Sequence, residues 1–566
     1  MTRPLARLLA VYASLSAVYL LYLPHAVPVL DDWTIIQLFS QARSGGPGHA
    51  LRYLQLLVDN TWWGQFRLFW ASFVPVYALA AVADFAGWPY FLLCWTAHLL
   101  TAVLLGRTVS LLSSDQRVGL VCGAVYAVFP PANQVLFWPL PNYYLSALAL
   151  AWWFYLTWRK LAVQQDFRYR WTDAALLVVV LFTGEQILAA LVLLLPLSYW
   201  LFGDRSQWRR AGQFWLIHAA TMMALAGAYT LWINRVPVVA SGFQSRYGAG
   251  SGWTLYPAAQ RLLASLGLNP ALAEWRPEWR LDAALAALIG LALAAFLWGL
   301  RGLEPSMNRR AAAKLLAWSS AAAVLAFLPV APLPGIEWRY LYVPSLFLVP
   351  AGVALLWLLG RRWGTTLAGL TLLYGLALTY HEMRQCWMPQ SRVARAMLQA
   401  ARGAGKIHDR EAVIFARAPH NLGPAPSFLA GASWSLKGML AHVTRAAGVE
   451  GARELLVNER GEMALYRPDS LLPFRREDFA RLRVFERQPD GRFAPRSLVA
   501  LPAAGDRFEL VPLATFSNET APPGHNLTRE EMEKLPIFGQ VYFAHRMKGP
   551  LVENENFTSP HSDSQR

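Results

Sequence analysis

The chain opens with an apolar run, PLARLLAVYASLSAVYLLYL at residues 4–23, which ends shortly before the sequence Leu30-Asp31-Asp32-Trp33. A run of about 20 apolar residues is long enough to cross a bilayer as one helix. Arg3 and Arg7 near its start predict that this end faces the cytoplasm and that the aspartate pair follows on the outer side. A signal peptide is the alternative. We favour a retained helix because the run lacks a small-residue cleavage site and many apolar runs follow it.

The composition is that of a membrane protein. Of 566 residues, 55% are hydrophobic and 15% are charged, whereas soluble domains carry about 25% charged residues. Apolar runs recur along the chain and predict about 11 transmembrane helices. Basic residues cluster in the short loops between them, as the positive-inside rule expects, so the net charge of +16 does not indicate a nucleic-acid partner. The abundance of arginine over lysine is typical of a bacterium with a GC-rich genome, and we expect a multi-pass protein of the bacterial inner membrane.

The fold class predicted is an all-α polytopic membrane protein with a small C-terminal α+β extracytoplasmic domain. The membrane domain covers residues 1–380 and includes a first outer loop at 25–88, in which Phe69–Phe85 either spans the membrane or lies on its surface. Short apolar stretches separated by turn signals predict the α+β domain at residues 381–515. Residues 516–566 are polar and are predicted to be disordered.

The adjacent carboxylates of Asp31 and Asp32 are the first candidates for chemistry. At the outer mouth of a helical bundle, such a group acts as a general base on a hydroxyl or binds a divalent cation such as Mg²⁺ or Mn²⁺. The alternative is a solvated loop or a helix N-cap, a position that aspartate favours.

Further candidates lie at the ends of other apolar runs. Glu185 interrupts one apolar run, where an ionisable side chain is costly and usually functional, although it could also cap a helix at the membrane surface. Arg339 is placed to bind a phosphate at the outer boundary, or to pair with Glu337. Arg67 and Arg246 either contact a phosphate or lie at the interface. His98, on an apolar helix, is either a core histidine or a pocket residue.

The order of these features resembles that of the GT-C superfamily of polytopic glycosyltransferases, above all its protein O-mannosyltransferase branch and related transmembrane enzymes with TPR repeats. The motifs that carry the resemblance are Asp31-Asp32, Phe66-Arg67-Leu68, His98 in the proline-led segment 89–112, the segment Pro131 to Trp138, Gly184-Glu185-Gln186, and Glu337-Trp338-Arg339-Tyr340-Leu341-Tyr342-Val343-Pro344-Ser345. The resemblance covers about residues 1–380, and the outer domain contains no recognisable TPR repeat. Three motifs depart from the pattern: Phe66-Arg67-Leu68 lacks its proline, the segment Pro131 to Trp138 lacks its usual glutamate, and Gly184 replaces a common lysine.

The resemblance implies an inverting transfer of a sugar from a polyprenyl-phosphate donor lipid to an acceptor hydroxyl on a glycan, lipid or protein. Asp31 would be the general base or a metal-linked acid, with Asp32 as its neighbour. Arg339, with Arg246 and Arg67, would contact the lipid-linked phosphate. The pocket would be completed by Glu185, His98, Glu337, Tyr340 and Tyr342.

Two other functions stay open. A lipid or oligosaccharide transporter is the first. Such proteins tend to show internal repeats and charges at the bilayer midplane, whereas this sequence shows no repeat and most of the charges are predicted at the outer mouth of the bundle. A non-catalytic scaffold that keeps the GT-C-like fold is the second, and the departures at Arg67-Leu68 and Gly184-Glu185 keep this alternative open.

Overall fold

The computed structural model describes most of the first 403 residues and several short segments after them. The described residues are 3–28, 36, 46–48, 51, 70–83, 86–138, 143–184, 187–233, 255–268, 275–329, 331, 338–403, 411–416, 421–422, 424–426, 450–452, 454–458, 463–466, 481–496, 508–510 and 526–527.

The described chain is mostly helical. The α-helices are α1 (Arg3–Leu15), α2 (Ala17–Leu20), α3 (Trp70–Ala83), α4 (Gly87–Ser113), α5 (Gln116–Tyr126), α6 (Ala132–Phe137), α7 (Tyr143–Trp158), α8 (Trp171–Leu181), α9 (Leu188–Phe202), α10 (Trp208–Ile233), α11 (Leu255–Ser265), α12 (Ala283–Leu300), α13 (Arg309–Phe327), α14 (Tyr342–Leu359), α15 (Arg361–Glu382) and α16 (Met388–Gly403). Short 3-10 segments lie at Leu23–His25, Arg205–Gln207 and Trp338–Leu341, and π segments at Arg159–Val163 and Met383–Trp387.

Several helices are long and apolar enough to cross a membrane. Within the described residues there are five: Gly87–Ser113, Arg205–Trp232, Ala283–Leu300, Arg309–Phe327 and Trp338–Leu359. The pair Leu5–Leu15 and Ala17–His25, bent by 51°, makes a sixth if it forms one span. This chain is therefore a polytopic helical membrane protein. The count of about 11 spans expected from the sequence is not reached by these helices and stays a prediction.

Two interruptions expected from the sequence are present. The helical run before Pro130-Pro131 ends at Tyr126, and α6 starts at Ala132, because proline lacks an N–H group and its ring clashes with the preceding turn. The apolar run after Trp171 divides into α8, which ends at Leu181, and α9, which starts at Leu188.

One helix is longer than expected. The sequence predicts that the last span ends at Tyr380, but the helix continues from α15 through the π segment Met383–Trp387 into α16, which ends at Gly403. Buried side chains recur every three or four residues along this extension, which keeps one face packed against the bundle. The first part of the segment assigned to the outer domain is thus a continuation of the helix that begins with α15.

Helices α4 and α5 pack at very short distance through glycines. A Cβ atom on Gly119 would overlap the carbonyl oxygen of Gly106, and one on Gly123 would overlap the hydroxyl of Tyr12. The Tyr12 hydroxyl donates to the Leu120 carbonyl at 3.2 Å. Glycines spaced four apart, as Gly119 and Gly123 are, let two helix backbones approach closely in a membrane.

At one end of the bundle, a buried carboxylate links two of the connections between helices. Asp115 accepts the backbone N–H groups of Arg117 and Val118 at the start of α5, and those of Ser306 and Met307 between α12 and α13, at 2.6–3.1 Å. Its side chain therefore joins two helix connections, which we call the Asp115 end.

The start of α1 also lies at the Asp115 end, because the Arg7 guanidinium donates to the Trp298 carbonyl at 2.6 Å. The opposite end, which we call the Glu382 end, holds α6, the segment Trp338–Leu341 and α16.

Strands occur only after α16 in the described residues. They are β1 (Glu411–Ala416), β2 (Asn421–Leu422), β3 (Ala425–Pro426), β4 (Glu450–Ala452), β5 (Glu454–Asn458), β6 (Met463–Tyr466), β7 (Arg481–Arg487), β8 (Phe493–Arg496), β9 (Phe508–Leu510) and β10 (Asn526–Leu527). The sheet order is β4-β1-β7-β8, with β1 parallel to β4 and β7, and a second, antiparallel sheet has the order β10-β9-β5-β6.

Candidate functional site

Four of the residues predicted from the sequence are described, and they lie at the Glu382 end. These are His98, Arg339, Tyr340 and Tyr342. The others lie outside the described residues, so their predicted roles stay predictions: Asp31, Asp32, Arg67, Glu185, Arg246 and Glu337.

His98, Tyr126 and Tyr342 form a buried aromatic group, which we call the His98 cluster. His98 and Tyr342 share a hydrogen bond of 2.8 Å between Nδ1 and the hydroxyl, and His98 Nε2 lies 3.3 Å from the Ala127 carbonyl. The Tyr126 ring stacks on the imidazole with 5.0 Å between centroids. His98 is fully buried, and both ring nitrogens have polar partners, as buried polar groups require.

A second polar group surrounds the carboxylate of Glu382, and we call it the Glu382 network. Asn133 Nδ2 donates to Glu382 Oε2 at 2.7 Å, and Trp387 Nε1 donates to Glu382 Oε1 at 2.8 Å. The Asn133 carbonyl oxygen accepts the hydroxyls of Tyr19 and Thr379 at 3.0 and 3.1 Å. Glu382 is only 1% exposed. Burying a carboxylate is costly, and these donors offset part of that cost.

The π segment explains how Trp387 reaches the carboxylate. Glu382 is the last residue of α15, and Met383–Trp387 follows it directly. In a π turn the backbone hydrogen bond joins residues five apart, whereas in an α-helix it joins residues four apart. The five-residue spacing from Glu382 to Trp387 matches the π turn, so the indole N–H can point back to the carboxylate.

The two groups touch each other. The Tyr19 ring lies edge-on to His98 with 5.9 Å between centroids, while its hydroxyl bonds to Asn133. Tyr19 therefore belongs to both the His98 cluster and the Glu382 network. Together they fill the bundle between α4, α6, α14 and α15.

Helix α6 carries contacts to both predicted and unpredicted residues. Asn133 binds Glu382, and the next residue, Gln134, accepts the backbone N–H of Arg339 at 2.8 Å. The Arg339 guanidinium carbon lies 4.4 Å from the Trp138 ring centroid and 5.5 Å from that of Tyr340. Arg339 is thus held against aromatic faces, an arrangement that favours a cation.

An apolar cleft opens at the same end of the bundle. It has a volume of about 440 Å³ and lies between the chain after α2, the start of α4 and one side of α16. A Cβ on Gly87 would lie 2.6 Å from the Val27 Cα, so this close approach requires glycine. The lining residues are Leu23, Pro24, Ala26, Val27, Pro28, Ala86, Gly87, Trp88, Arg395, Leu398 and Arg402.

At the Glu382 end, a tyrosine on a neighbouring helix lowers the pKa of a surface carboxylate, that of Asp282. The Tyr380 hydroxyl donates to Asp282 at 2.6 Å and is the main cause that lowers the pKa of that carboxyl; the Leu285 N–H, which Asp282 caps, adds to it. Asp282 thus stays ionised more readily than a free aspartate, and it joins the start of α12 to α15.

The described residues offer no metal site. No group of three or more His, Cys, Asp or Glu side chains among them could hold a metal ion. The predicted divalent cation depends on Asp31 and Asp32, which lie outside these residues, so the fit of a cation stays untested and no chemical step is routed through it. Cys94, Cys122 and Cys386 are buried and form no disulfide bond with one another, in accord with packing roles.

Sequence reasoning missed Glu382 and Asn133. Asn133 follows the predicted break at Pro130-Pro131, and Glu382 follows Tyr380, where the sequence predicts that the last span ends. The signal that could have found Glu382 is the apolar periodicity from Met383 to Ala401, which continues the helix past Tyr380. A glutamate on the buried face of a helix that continues past a predicted span is a candidate functional residue.

Comparison with protein-family models, with characterised proteins and with solved structures finds no match for this chain. The fold itself defines the class as a helical membrane protein with several candidate spans and a buried polar centre at one end of its bundle.

Proposed function

We propose that the protein is a membrane glycosyltransferase that moves a sugar from a polyprenyl-phosphate donor lipid to an acceptor hydroxyl. The proposal places the Glu382 end on the outer face of the bacterial inner membrane. The short basic connections at the Asp115 end, which include Arg117 and Arg309, support this orientation under the positive-inside rule.

One observation carries the proposal: the hydrogen bond between His98 and Tyr342, which are 244 positions apart in the chain. These residues belong to two of the motifs on which the resemblance rests. A third, the segment Pro131 to Trp138, forms α6 and contacts Arg339 through Gln134. Three motifs that are remote in sequence thus meet around one buried polar centre, as a shared active site requires.

The proposed chemistry is an inverting displacement. Asp31 removes the proton of the acceptor hydroxyl, and the resulting oxygen attacks the anomeric carbon of the sugar. The bond from that carbon to the phosphate oxygen breaks, and its electron pair leaves with the polyprenyl phosphate. Arg339, held on aromatic faces, stabilises the charge that develops on this leaving group. Pro28 lines the apolar cleft. Asp31 and Asp32 come three and four residues after Pro28 in the sequence.

The region after the membrane helices has a proposed role too. We assign the part of residues 381–515 that follows α16 to an extracytoplasmic domain that guides the acceptor, with α16 as its link to the bundle. The contacts of α16 with β2 and β8 support this assignment.

The test uses the purified full-length protein in lipid nanodiscs. Polyprenyl phosphate esters of mannose and of glucose serve as donors, an extract of cell-envelope glycans, lipids and proteins serves as acceptor, and release of polyprenyl phosphate is measured. Asp31→Asn should lower the rate by about 10²–10⁴-fold, the usual contribution of a general base. Asp204→Asn, a change of the same type at an exposed aspartate between α9 and α10, should leave the rate unchanged.

Two results would contradict the proposal. Full activity of Asp31→Asn, with the protein inserted and folded as wild type, removes Asp31 as the base. Absence of sugar release with every donor, together with movement of intact donor across a liposome membrane, identifies a transporter instead.

A further inference from the structure

The arginines of α16 carry charge that no described partner neutralises. The helix contains Arg392, Arg395 and Arg402 and no acidic residue. None of the ion pairs formed within the described residues includes any of the three. Arg392 and Arg395 also interact electrostatically with His25, on the 3-10 segment after α2. This side of α16 is therefore a concentrated positive region next to the chain that follows the first membrane helix.

Two of these arginines line the apolar cleft. Arg395 and Arg402 are seven residues apart, which is two helical turns, so they share one side of α16 with Leu398 between them. Arg395 is half-buried and donates to the Pro24 carbonyl, whereas Arg402 is exposed. The remaining walls are apolar or are formed by backbone. The cleft thus combines an apolar wall with two guanidinium groups.

This combination fits a lipid whose head is a phosphate. The volume of about 440 Å³ lies within the range of about 300–1,000 Å³ that ligand pockets occupy. A phosphate monoester carries close to two negative charges at neutral pH and suits two arginines, which bind phosphate oxygens through paired N–H groups. A phosphodiester, as in the sugar-loaded donor or a phospholipid, carries one charge and would leave one guanidinium without a partner.

We propose that the cleft between α16 and the start of α4 binds the phosphate monoester of the spent carrier lipid, through Arg395 and Arg402. The choice of a polyprenyl carrier rests on the proposed function, whereas the monoester and the apolar tail rest on the cleft itself. The cleft would hold the lipid product after transfer and is separate from Arg339, which is assigned to the donor phosphate.

The experiment measures equilibrium binding of polyprenyl monophosphate, without a sugar, to the full-length protein in nanodiscs. The double variant Arg395→Gln/Arg402→Gln should weaken binding by about 10-fold to 100-fold, because two charged hydrogen-bond donors are lost. Arg402→Gln alone should show part of this loss. Because Arg402 is exposed, this single variant should fold as wild type, so it keeps the test valid if the double variant misfolds. The double variant Arg276→Gln/Arg280→Gln removes the same charge from an exposed loop at the same end and should bind as wild type.

Further ligands separate the possible sources of the phosphate. Uncharged polyprenol should bind weakly and equally to all variants, and phosphatidylglycerol should bind less tightly than polyprenyl monophosphate. Equal affinity for phosphatidylglycerol, or for inorganic phosphate, would overturn the proposal. So would unchanged binding of polyprenyl monophosphate by both α16 variants.

The result is distinguishable from a failure of the proposed function. If the wild type releases no sugar from any donor but binds polyprenyl monophosphate through Arg395 and Arg402, the transferase assignment fails and the cleft assignment stands. If transfer occurs and the α16 variants bind the monophosphate as wild type, the cleft assignment fails alone.

Discussion

At the scale of single residues, Glu382 shows how a carboxylate is kept inside a membrane bundle. Its two oxygens accept from different donors, Asn133 and Trp387, and the donors come from different helices. A buried donor that loses its acceptor costs about 1–3 kcal/mol. The network is therefore stable only when α6, α15 and the π segment are all in place, which makes Glu382 a reporter of the correct assembly of this end.

This arrangement predicts different effects for two substitutions. Glu382→Met keeps the side-chain volume but removes both acceptors, and it should cost about 1–3 kcal/mol of stability for each donor that is left unpaired. Glu382→Gln should cost less, because Asn133 can turn its amide so that its oxygen accepts from the new NH₂ group. Thermal unfolding in detergent measures both.

The control is Glu278→Met, at an exposed glutamate near the same end whose partner is Arg280. Surface pairs contribute little, so this variant should unfold close to wild type. A Glu382→Met protein as stable as the control would show that the network does not hold this end together.

At the scale of elements, the contact between α4 and α5 depends on the absence of side chains. Gly119 faces the Gly106 carbonyl and the backbone of Ser110, and neither can move without shifting α4. Because helix α5 leads into α6, a shift of α5 would also displace Asn133 and the Glu382 network.

We expect Gly119→Ala to destabilise the protein by about 1–3 kcal/mol, the usual cost of overpacking a filled interior. Gly290→Ala is the matched control, since Gly290 lies in the middle of α12 and a methyl group added there would have no neighbouring atom within 4 Å. That change should leave stability unchanged or raise it by up to about 1 kcal/mol through helix propensity. Equal melting temperatures for the two variants would show that the close approach of α4 and α5 is not needed.

At the scale of the whole molecule, the two ends of the bundle differ in their chemistry. The Asp115 end is a set of short connections held by backbone N–H groups, while the Glu382 end carries the polar centre, the cleft and the helix that leads to the strands. A membrane protein with such ends is expected to face the cytoplasm with its short basic connections.

Cysteine labelling in intact cells tests this orientation. The native cysteines are buried and should not react with a membrane-impermeant maleimide. Arg276→Cys, near the Glu382 end, should be labelled from outside, and Arg309→Cys, at the Asp115 end, only after the membrane is permeabilised. The reverse pattern would place the proposed site in the cytoplasm and exclude a donor lipid in the outer leaflet.

The sequence by itself determined the class of protein and much of its helical order. Apolar runs of membrane length, the proline pair at 130–131 and the interruption after Leu181 are local features, and local features depend on neighbours a few residues away. The resemblance of two motifs predicts that His98 and Tyr342 line one pocket; the structure joins them by a hydrogen bond inside the bundle, and the pocket stays a prediction.

Only the tertiary structure decided how the polar centre is built. Asn133 meets Glu382 across 249 positions, and no local pattern encodes such a contact. Whether a glutamate is a solvated loop residue or a buried hydrogen-bonded group depends on which helices surround it. Likewise, Arg395 and Arg402 are an ordinary basic helix face in the sequence, and they become a candidate phosphate site because the fold sets an apolar cleft beside them.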